Sequence, residues 1–198
     1  MVRVGGSFVF PPPTFSFPSA TEGRELRRVV FIAGGVGVNP LVSMLSFICE
    51  EAGRKAEEGE GVEGKGLKVK FLYSTKVPPE GGILFLDRLK KVFKTGLLGM
   101  GSRLKVFLTA SASASLGIDR KGEETSWGGI EGQEKGIVEI KKRRIEEKDL
   151  EDAIGKKGDR EGTIVYICGV PGMTDGFVER VAGMEGMSRE RVFGERWW

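Results

Sequence analysis

Apolar positions along this chain follow two different periods, and the change from one to the other predicts strands separated by helices. Five short apolar runs are typical of buried strands, at residues 29–32, 67–73, 104–109, 163–168 and 191–193. Four intervening stretches predict helices, several with apolar residues every three or four positions, at 41–50, 83–93, 147–154 and 174–182. Strands that alternate with helices indicate an α/β fold, and we expect a five-stranded parallel sheet with helices on both faces.

Three segments depart from this alternation and define the predicted domain organisation. Residues 1–28 hold a short apolar strand followed by three prolines, so we interpret them as the end of another domain plus a Pro-rich connector. A strand in this position implies a sheet partner upstream of the chain. Residues 53–66 and 110–136 are rich in glycine and polar residues, which predicts flexible insertions within a domain spanning 29–198.

Composition excludes several classes of function. The net charge of +3 is too small to indicate binding to nucleic acid, and the basic run 141–144 is interpreted as a solvated face before a helix. No apolar run is long enough to span a membrane, and no targeting segment is visible, which leaves a cytoplasmic location. Histidine is absent, and Cys49 and Cys168 are far apart in sequence, so we expect no metal site and no histidine-dependent catalysis.

The most informative stretch follows the first predicted strand. Gly34, Gly35 and Gly37 predict a tight turn whose backbone N–H groups can approach a ligand without a Cβ in the way. Asn39 suits an N-cap and Pro40 a first helical residue, so a helix should begin where the glycines end. A helix N-terminus after a glycine turn favours phosphate, and Gly37→Val is expected to block its approach. A glycine turn without a ligand remains the alternative for this stretch alone.

A second glycine turn follows the fourth predicted strand, with Cys168, Gly169, Pro171 and Met173 as its candidate ligand contacts. Open parallel sheets bind ligands at the carboxyl ends of their strands, where the strand order reverses. With the order 3-2-1-4-5, the reversal lies between strands 1 and 4. The two turns would then face each other across one crevice, which indicates a nucleotide site. Without further evidence, a cysteine that ends an apolar strand, as Cys168 does, is usually a small core residue.

The rest of the predicted nucleotide site departs from the usual dinucleotide pattern. Pro40 stands where GxGxxG needs its third glycine, and the expected acidic ribose partner is missing after the second strand. Ser74 and Lys76 stand there instead and could hold ribose or phosphate, although an ordinary strand exit has the same composition. The N–H groups expected to bind the phosphates belong to Gly35, Val36 and Gly37.

These two turns resemble those of the ferredoxin–NADP reductase and cytochrome b5 reductase superfamily. Residues 35–40 match its GxGxxP turn and residues 168–173 its CGxxxM turn. Further resemblance lies in 32–41, 71–76, 166–169 and the aromatic ending 195–198, and the resemblance covers about residues 2–10, 26–109 and 137–198. It implies the nicotinamide-binding domain of a flavin-dependent reductase, with sheet order 3-2-1-4-5.

The resemblance also implies roles for individual residues. Cys168 would lie near the nicotinamide and Trp198 near the flavin ring, with Glu195 a weaker candidate for catalysis. Gly5, Gly6 and Phe8 resemble the last turn of a flavin-binding barrel. The family suggests a mitochondrial location. In the family, hydride passes between NAD(P)H and FAD held by that barrel.

Two departures qualify what the resemblance implies for cofactors and partners. The barrel and its Arg-x-Tyr-Ser flavin motif are absent from these 198 residues, so this chain should bind FAD weakly or not at all. A flavin domain or an electron-acceptor protein would then be a partner. Residues 109–113, after the third strand, carry no cation for a 2′-phosphate, which favours NAD over NADP. A nucleotide-binding module without chemistry and a truncated fragment are the competing hypotheses.

Overall fold

The computed structural model describes residues 2–3, 8–16, 24–58, 66–76, 82–109 and 137–197. Its strands are β1 (Val2–Arg3), β2 (Val9–Phe10), β3 (Phe15–Ser16), β4 (Arg24–Glu25), β5 (Arg28–Gly34), β6 (Lys68–Lys76), β7 (Arg103–Thr109), β8 (Val138–Lys141), β9 (Thr163–Gly169) and β10 (Val192–Arg196). Its α-helices are α1 (Val38–Glu57), α2 (Leu86–Lys94), α3 (Glu147–Ile154) and α4 (Pro171–Gly183). No helix in the described part of the chain has both the length and the apolarity that crossing a bilayer requires.

The main sheet has six parallel strands in the order β10-β9-β5-β6-β7-β8, so the prediction of five strands is wrong. The extra strand, β8, is a four-residue edge strand in which Val138 alone is fully buried. A short edge strand with polar residues has no continuous apolar run, which is why the sequence pattern missed it. The five predicted strands are otherwise arranged in the predicted order.

The strand order reverses between β5 and β9. The chain leaves β5 through α1 toward β6 on one side, and it leaves β9 through α4 toward β10 on the other. In register, Ala33 of β5 lies opposite Cys168 of β9, while Gly34 lies opposite Ser74 of β6. All seven residues of β9 are buried, as expected of a central parallel strand.

Helices cover both faces of the sheet, as predicted. On one face α1 and α2 bury Leu41, Leu45 and Leu89 in the larger hydrophobic core. On the other face α3 and α4 bury Leu150 and Val181 in a second core.

Helix α1 is longer than predicted and includes the first residues of the predicted insertion 53–66. Arg54 donates hydrogen bonds to Glu51 (3.1 Å) and Glu58 (2.7 Å), one helical turn away on either side. Such pairs support an exposed helix despite Gly53 in its interior. The predicted insertion 110–136 and Gly5 and Gly6 lie outside the described residues.

The N-terminal segment packs onto the main sheet. Strand β2 pairs antiparallel with β1, which gives it one partner within this chain. Phe8 and Phe10 are buried in the larger core, and the Tyr166 hydroxyl donates a hydrogen bond to the Val9 carbonyl oxygen at 2.5 Å. These contacts hold residues 8–10 against β9. That residues 1–28 end another domain stays a prediction.

Candidate functional site

The first glycine turn leads directly into the N-terminus of a long helix. Residues Gly35–Gly37 form a single 3-10 turn between β5 and α1. Gly35 has φ +54°, and a Cβ built there would meet no heavy atom within 4 Å. A left-handed backbone facing open space is where glycine is needed and a ligand can approach. The unpaired N–H groups and positive dipole end of the 20-residue α1 make this turn suitable for an anion.

The cap of α1 differs from the prediction at two residues. The N-cap is Gly37, without a side-chain hydrogen bond, and the Asn39 side chain instead donates to the carbonyl oxygen of Val36 at 2.6 Å. Pro40 is the third helical residue and not the first. Its missing N–H costs nothing there, because the first four N–H groups of a helix have no intrahelical acceptor.

Gly37 is a glycine for a different reason than the one predicted. A Cβ at Gly37 would lie 2.3 Å from the carbonyl oxygen of Cys168 and 2.8 Å from the backbone nitrogen of Gly169. The start of α1 therefore touches the backbone of β9, and the small residue permits this close packing. A side chain at Gly37 would collide with the sheet, so Gly37→Val would disturb the fold as well as the approach of a phosphate. That it blocks nucleotide binding stays a prediction.

The two turns meet directly, with Met173 covering their junction. A Cβ on Gly34 would lie 2.7 Å from the Met173 Cε atom, and one on Gly169 would lie 2.5 Å from the same atom and 3.2 Å from the Gly34 Cα. The glycine pair is therefore explained by helix–strand packing around a methionine. The crevice expected between the turns is closed at this point.

Open space lies beside the junction, toward the ends of β6 and β7. A cavity of about 600 Å³ begins at Ser74, the residue paired with Gly34, and extends past Thr109. Its other walls come from the start of α4 and from the segment before α3. They include Arg144, Ile145, Val170, Gly172, Met173, Gly176, Phe177 and Arg180. A volume of this size suits a small-molecule cofactor.

Two arginines of this cavity were not identified from the sequence. Arg144 belongs to the basic run that was interpreted as a solvated face, and the Arg180 guanidinium lies 6.0 Å from the ring centre of Phe177. No local pattern brings them to Ser74 and Thr109, because these four residues belong to four segments that are distant along the chain. Lys76, at the end of β6, is exposed and does not line the cavity.

Cys168 is a core residue, packed in the larger hydrophobic cluster. Burial, and to a smaller degree the carboxylate of Glu195, raises the pKa of the Cys168 thiol to about 12. Glu195 lies directly opposite it in the β9–β10 register. The thiol is therefore protonated at neutral pH and cannot serve as a nucleophile in this state.

We expect Cys168 to resist alkylation in the folded protein. Iodoacetamide at about pH 8 should modify Cys168 only after unfolding. The half-buried Cys49 should react slowly in the folded protein, because burial and Glu50 raise the pKa of its thiol to about 11. Mass spectrometry of the two peptides with and without urea measures both rates. Rapid labelling of folded Cys168 would show that β9 opens at this end.

The C-terminal aromatic residue at this site is Trp197. Its backbone N–H donates to the carbonyl oxygen of Gly169 at 2.8 Å, which fixes it beside the second turn. Its indole Nε1 is buried and has no hydrogen-bond partner among the described residues, nor has the Thr174 hydroxyl in the first turns of α4. Trp198 lies outside the described residues. Pro171 begins α4 and is exposed.

The chain is similar along its whole length to proteins named oxidoreductase NAD-binding domain-containing protein 1. It is 30% identical over 197 residues to the Bos taurus protein, an alignment that covers 100% of this chain and 52% of that relative. The Homo sapiens protein is 29% identical over 197 residues and the Xenopus laevis protein 27% over 200 residues, each covered to 51% of its length. No protein-family model matches the chain.

The resemblance predicted from the sequence is confirmed by these relatives. Segments 32–41, 71–76, 166–169 and 195–198 predicted similarity to a protein of this name, and the matches span the whole chain. The chain spans about half the length of these relatives.

Proposed function

We propose that this chain binds a nicotinamide dinucleotide. The observation that carries the proposal is the left-handed Gly35 turn at the N-terminus of α1, located where the strand order reverses between β5 and β9. Ligands of open parallel sheets bind at this position. The NAD-binding domain in the relatives' name supports the same class of ligand.

The residues present suit such a group. The N–H groups of Gly35, Val36 and Gly37 would hold the pyrophosphate, because they begin the helix and Gly35 faces open space. The cavity bounded by Ser74 and Thr109 would take the adenosine end. The second turn, from Cys168 to Met173, would lie toward the nicotinamide.

The cavity bears on the choice between NAD and NADP. The preference for NAD rests on the absence of a cation in residues 109–113. Arg144 and Arg180 reach the cavity from other segments, and each could bind a 2′-phosphate by charge-assisted hydrogen bonds. NADH and NADPH should therefore be titrated side by side.

We further propose that the chain is the nucleotide half of a flavin-dependent oxidoreductase. When bound, reduced nicotinamide supplies a hydride, and a flavin domain outside these residues would accept it. Trp197 and Glu195 would border that partner, since β10 ends beside the second turn. Within the described residues, no group of three potential ligands among His, Cys, Asp and Glu is placed to hold a metal. A mitochondrial location stays a prediction of the family resemblance.

A binding module without chemistry is the second candidate, since nucleotide binding needs only this chain, whereas hydride transfer needs a flavin domain outside these residues. One experiment distinguishes the oxidoreductase from the binding module. The chain is mixed with a flavin-binding barrel and NADH, and flavin reduction is followed anaerobically. Reduction in the mixture supports the oxidoreductase. Nucleotide binding without flavin reduction supports the binding module.

Gly35→Ala is the sharpest test of the nucleotide site. We expect it to weaken NADH binding at least about tenfold, because a methyl group would enter the space above the turn and the left-handed φ would be strained. Isothermal titration calorimetry with NADH measures the loss.

Gly96→Ala is a matched control, since Gly96 also has a positive φ (+73°) and no heavy atom within 4 Å of a Cβ. Both variants should lose about 1 kcal/mol of unfolding free energy from backbone strain. NADH affinity should fall in Gly35→Ala alone. Equal affinities in the two variants would contradict the assignment of the pyrophosphate to this turn.

A further inference from the structure

A second cavity, of about 340 Å³, lies on the same face of the sheet as the proposed nucleotide cavity but toward the opposite ends of β6 and β7. It is lined by Lys70, Leu72, Arg103, Lys105, Glu139, Asp152 and Ala153. Lys70 precedes Ser74 by four residues on β6, which places these two residues about 13 Å apart along the strand. Helix α3 packs on this face through Leu150 and Ile154, and its Asp152 and Ala153 line the second cavity.

The cations gather here because of strand periodicity. Lys70 and Leu72 point to one face of β6, and Arg103 and Lys105 point to the same face of β7. Lys70 lies opposite Arg103 in register and Leu72 lies opposite Lys105. Three cationic side chains therefore line this cavity together with the apolar Leu72 and Ala153.

The carboxylates at this cavity only partly neutralise the cations. Arg103 lies 3.6 Å from Glu139, and Lys105 lies 3.5 Å from Asp152. These separations exceed the roughly 2.7–2.9 Å of a charge-assisted hydrogen bond. Lys70 donates to the Gly101 carbonyl oxygen at 2.7 Å, which leaves further ammonium protons available.

The ion pair between Arg143 and Asp149 has shorter contacts than the ion pairs of this cavity. Arg143 donates two hydrogen bonds to the Asp149 carboxylate, at 2.5 and 2.9 Å. That carboxylate also accepts from the backbone N–H of Glu146. Among the described residues, the nearest carboxylates to Arg103 and Lys105 are farther away, at 3.6 and 3.5 Å.

Charge around Lys70 is consequently unbalanced. Burial, followed by the charges of Arg103, Arg28, Lys68 and Lys105, lowers the pKa of Lys70 to about 8. A bound anion would relieve this repulsion, because it would place negative charge within reach of all three cations.

We propose that Lys70, Arg103 and Lys105 form a binding site for a small molecule that carries a phosphate or carboxylate group, separate from the nucleotide site. The guanidinium of Arg103 supplies paired donors to the anion, and the two lysines supply point charges. Leu72 and Ala153 contact the apolar part of the ligand.

The test is competitive labelling of the folded chain with pyridoxal 5′-phosphate, an anionic aldehyde. Its aldehyde carbon forms an imine with a neutral lysine amine and releases water, and added borohydride reduces the imine to a stable amine. Mass spectrometry then gives the extent of labelling at each lysine. We expect Lys70 to be labelled at least about tenfold faster than Lys91, an exposed lysine of α2 on the other side of the sheet.

Anions that compete with the label show which anion the cavity prefers, and variants show which residues bind it. Pyrophosphate and citrate, each added in turn, should protect Lys70 and leave Lys91 unchanged, and the better competitor shows whether phosphate or carboxylate is preferred. Arg103→Gln should raise the competitor concentration that gives half protection by about tenfold. Lys91→Gln is the matched control and should leave protection of Lys70 unchanged.

Glu139→Gln should improve protection of Lys70, whereas Arg103→Gln should weaken it. Damage to the fold would not improve protection, so it cannot account for both results. Removing this carboxylate frees Arg103 and Lys141, which it contacts at 3.6 and 3.3 Å, and should improve protection. The proposal is overturned if Lys70 is labelled no faster than Lys91, if neither competitor protects it, or if Glu139→Gln weakens protection.

Discussion

Replacing Gly37 with alanine is expected to cost about 3 kcal/mol or more of unfolding free energy, near the upper end for overpacked sites. The added Cβ would lie 2.3 Å from the carbonyl oxygen of Cys168 and 2.5 Å from its carbonyl carbon. Both obstructing atoms belong to the backbone of a central strand, so neither can move aside as a flexible side chain would. Urea denaturation followed by circular dichroism measures the loss.

Gly53→Ala is the control for this variant. Gly53 lies in the same helix, and a Cβ there meets nothing within 4 Å, so alanine should stabilise α1 by about 0.5–1 kcal/mol. A Gly37→Ala protein as stable as the parent would show that α1 and β9 are farther apart than the structure has them.

Replacing Tyr166 with alanine is expected to cost about 3–5 kcal/mol, as for other large aromatic residues in protein cores. The ring is fully buried, stacks on Phe193 with centres 4.9 Å apart, and meets Phe8 edge-on at 5.2 Å. Its hydroxyl donates to the Val9 carbonyl oxygen. The residue thus joins the N-terminal segment to β9 and β10.

Tyr166→Phe separates the ring from the hydroxyl. It keeps the packing and removes one hydrogen bond, so about 1 kcal/mol should be lost. Limited proteolysis within residues 8–16 should accelerate strongly in Tyr166→Ala and only slightly in Tyr166→Phe. Similar losses in the two variants would mean that packing of the ring contributes little.

These two positions indicate how the proposed nucleotide site depends on the core. The helix that presents the Gly35 turn rests on the backbone of β9 at Gly37, and β9 continues into the second turn. Tyr166 anchors the same strand in the larger core, on the face that α1 covers. A change that loosens β9 should therefore affect both turns together. Gly35 is the better position for testing ligand binding by itself, because a Cβ added there would meet no other atom within 4 Å.

Local sequence determined the elements of this protein and the place of its first turn. Continuous apolar runs at β5 and β9 predicted central parallel strands, and both faces of these strands are buried in the structure. Gly35 was identifiable as well, since a glycine between an apolar strand and a helix marks a turn that other residues rarely adopt. The similarity of both turns to NAD-binding oxidoreductases was likewise readable from short segments.

Only the tertiary structure decided which atoms pack against each glycine and which charged side chains lie together. Gly34, Gly37 and Gly169 look alike in the sequence, yet their neighbours come from other elements, Met173 for two of them and the β9 backbone for the third. Strand β8 lacks a continuous apolar run, because an edge strand is incompletely buried. The arginines of the proposed nucleotide cavity and the cations around Lys70 come together through strand register and helix packing, interactions between distant residues that no local pattern encodes.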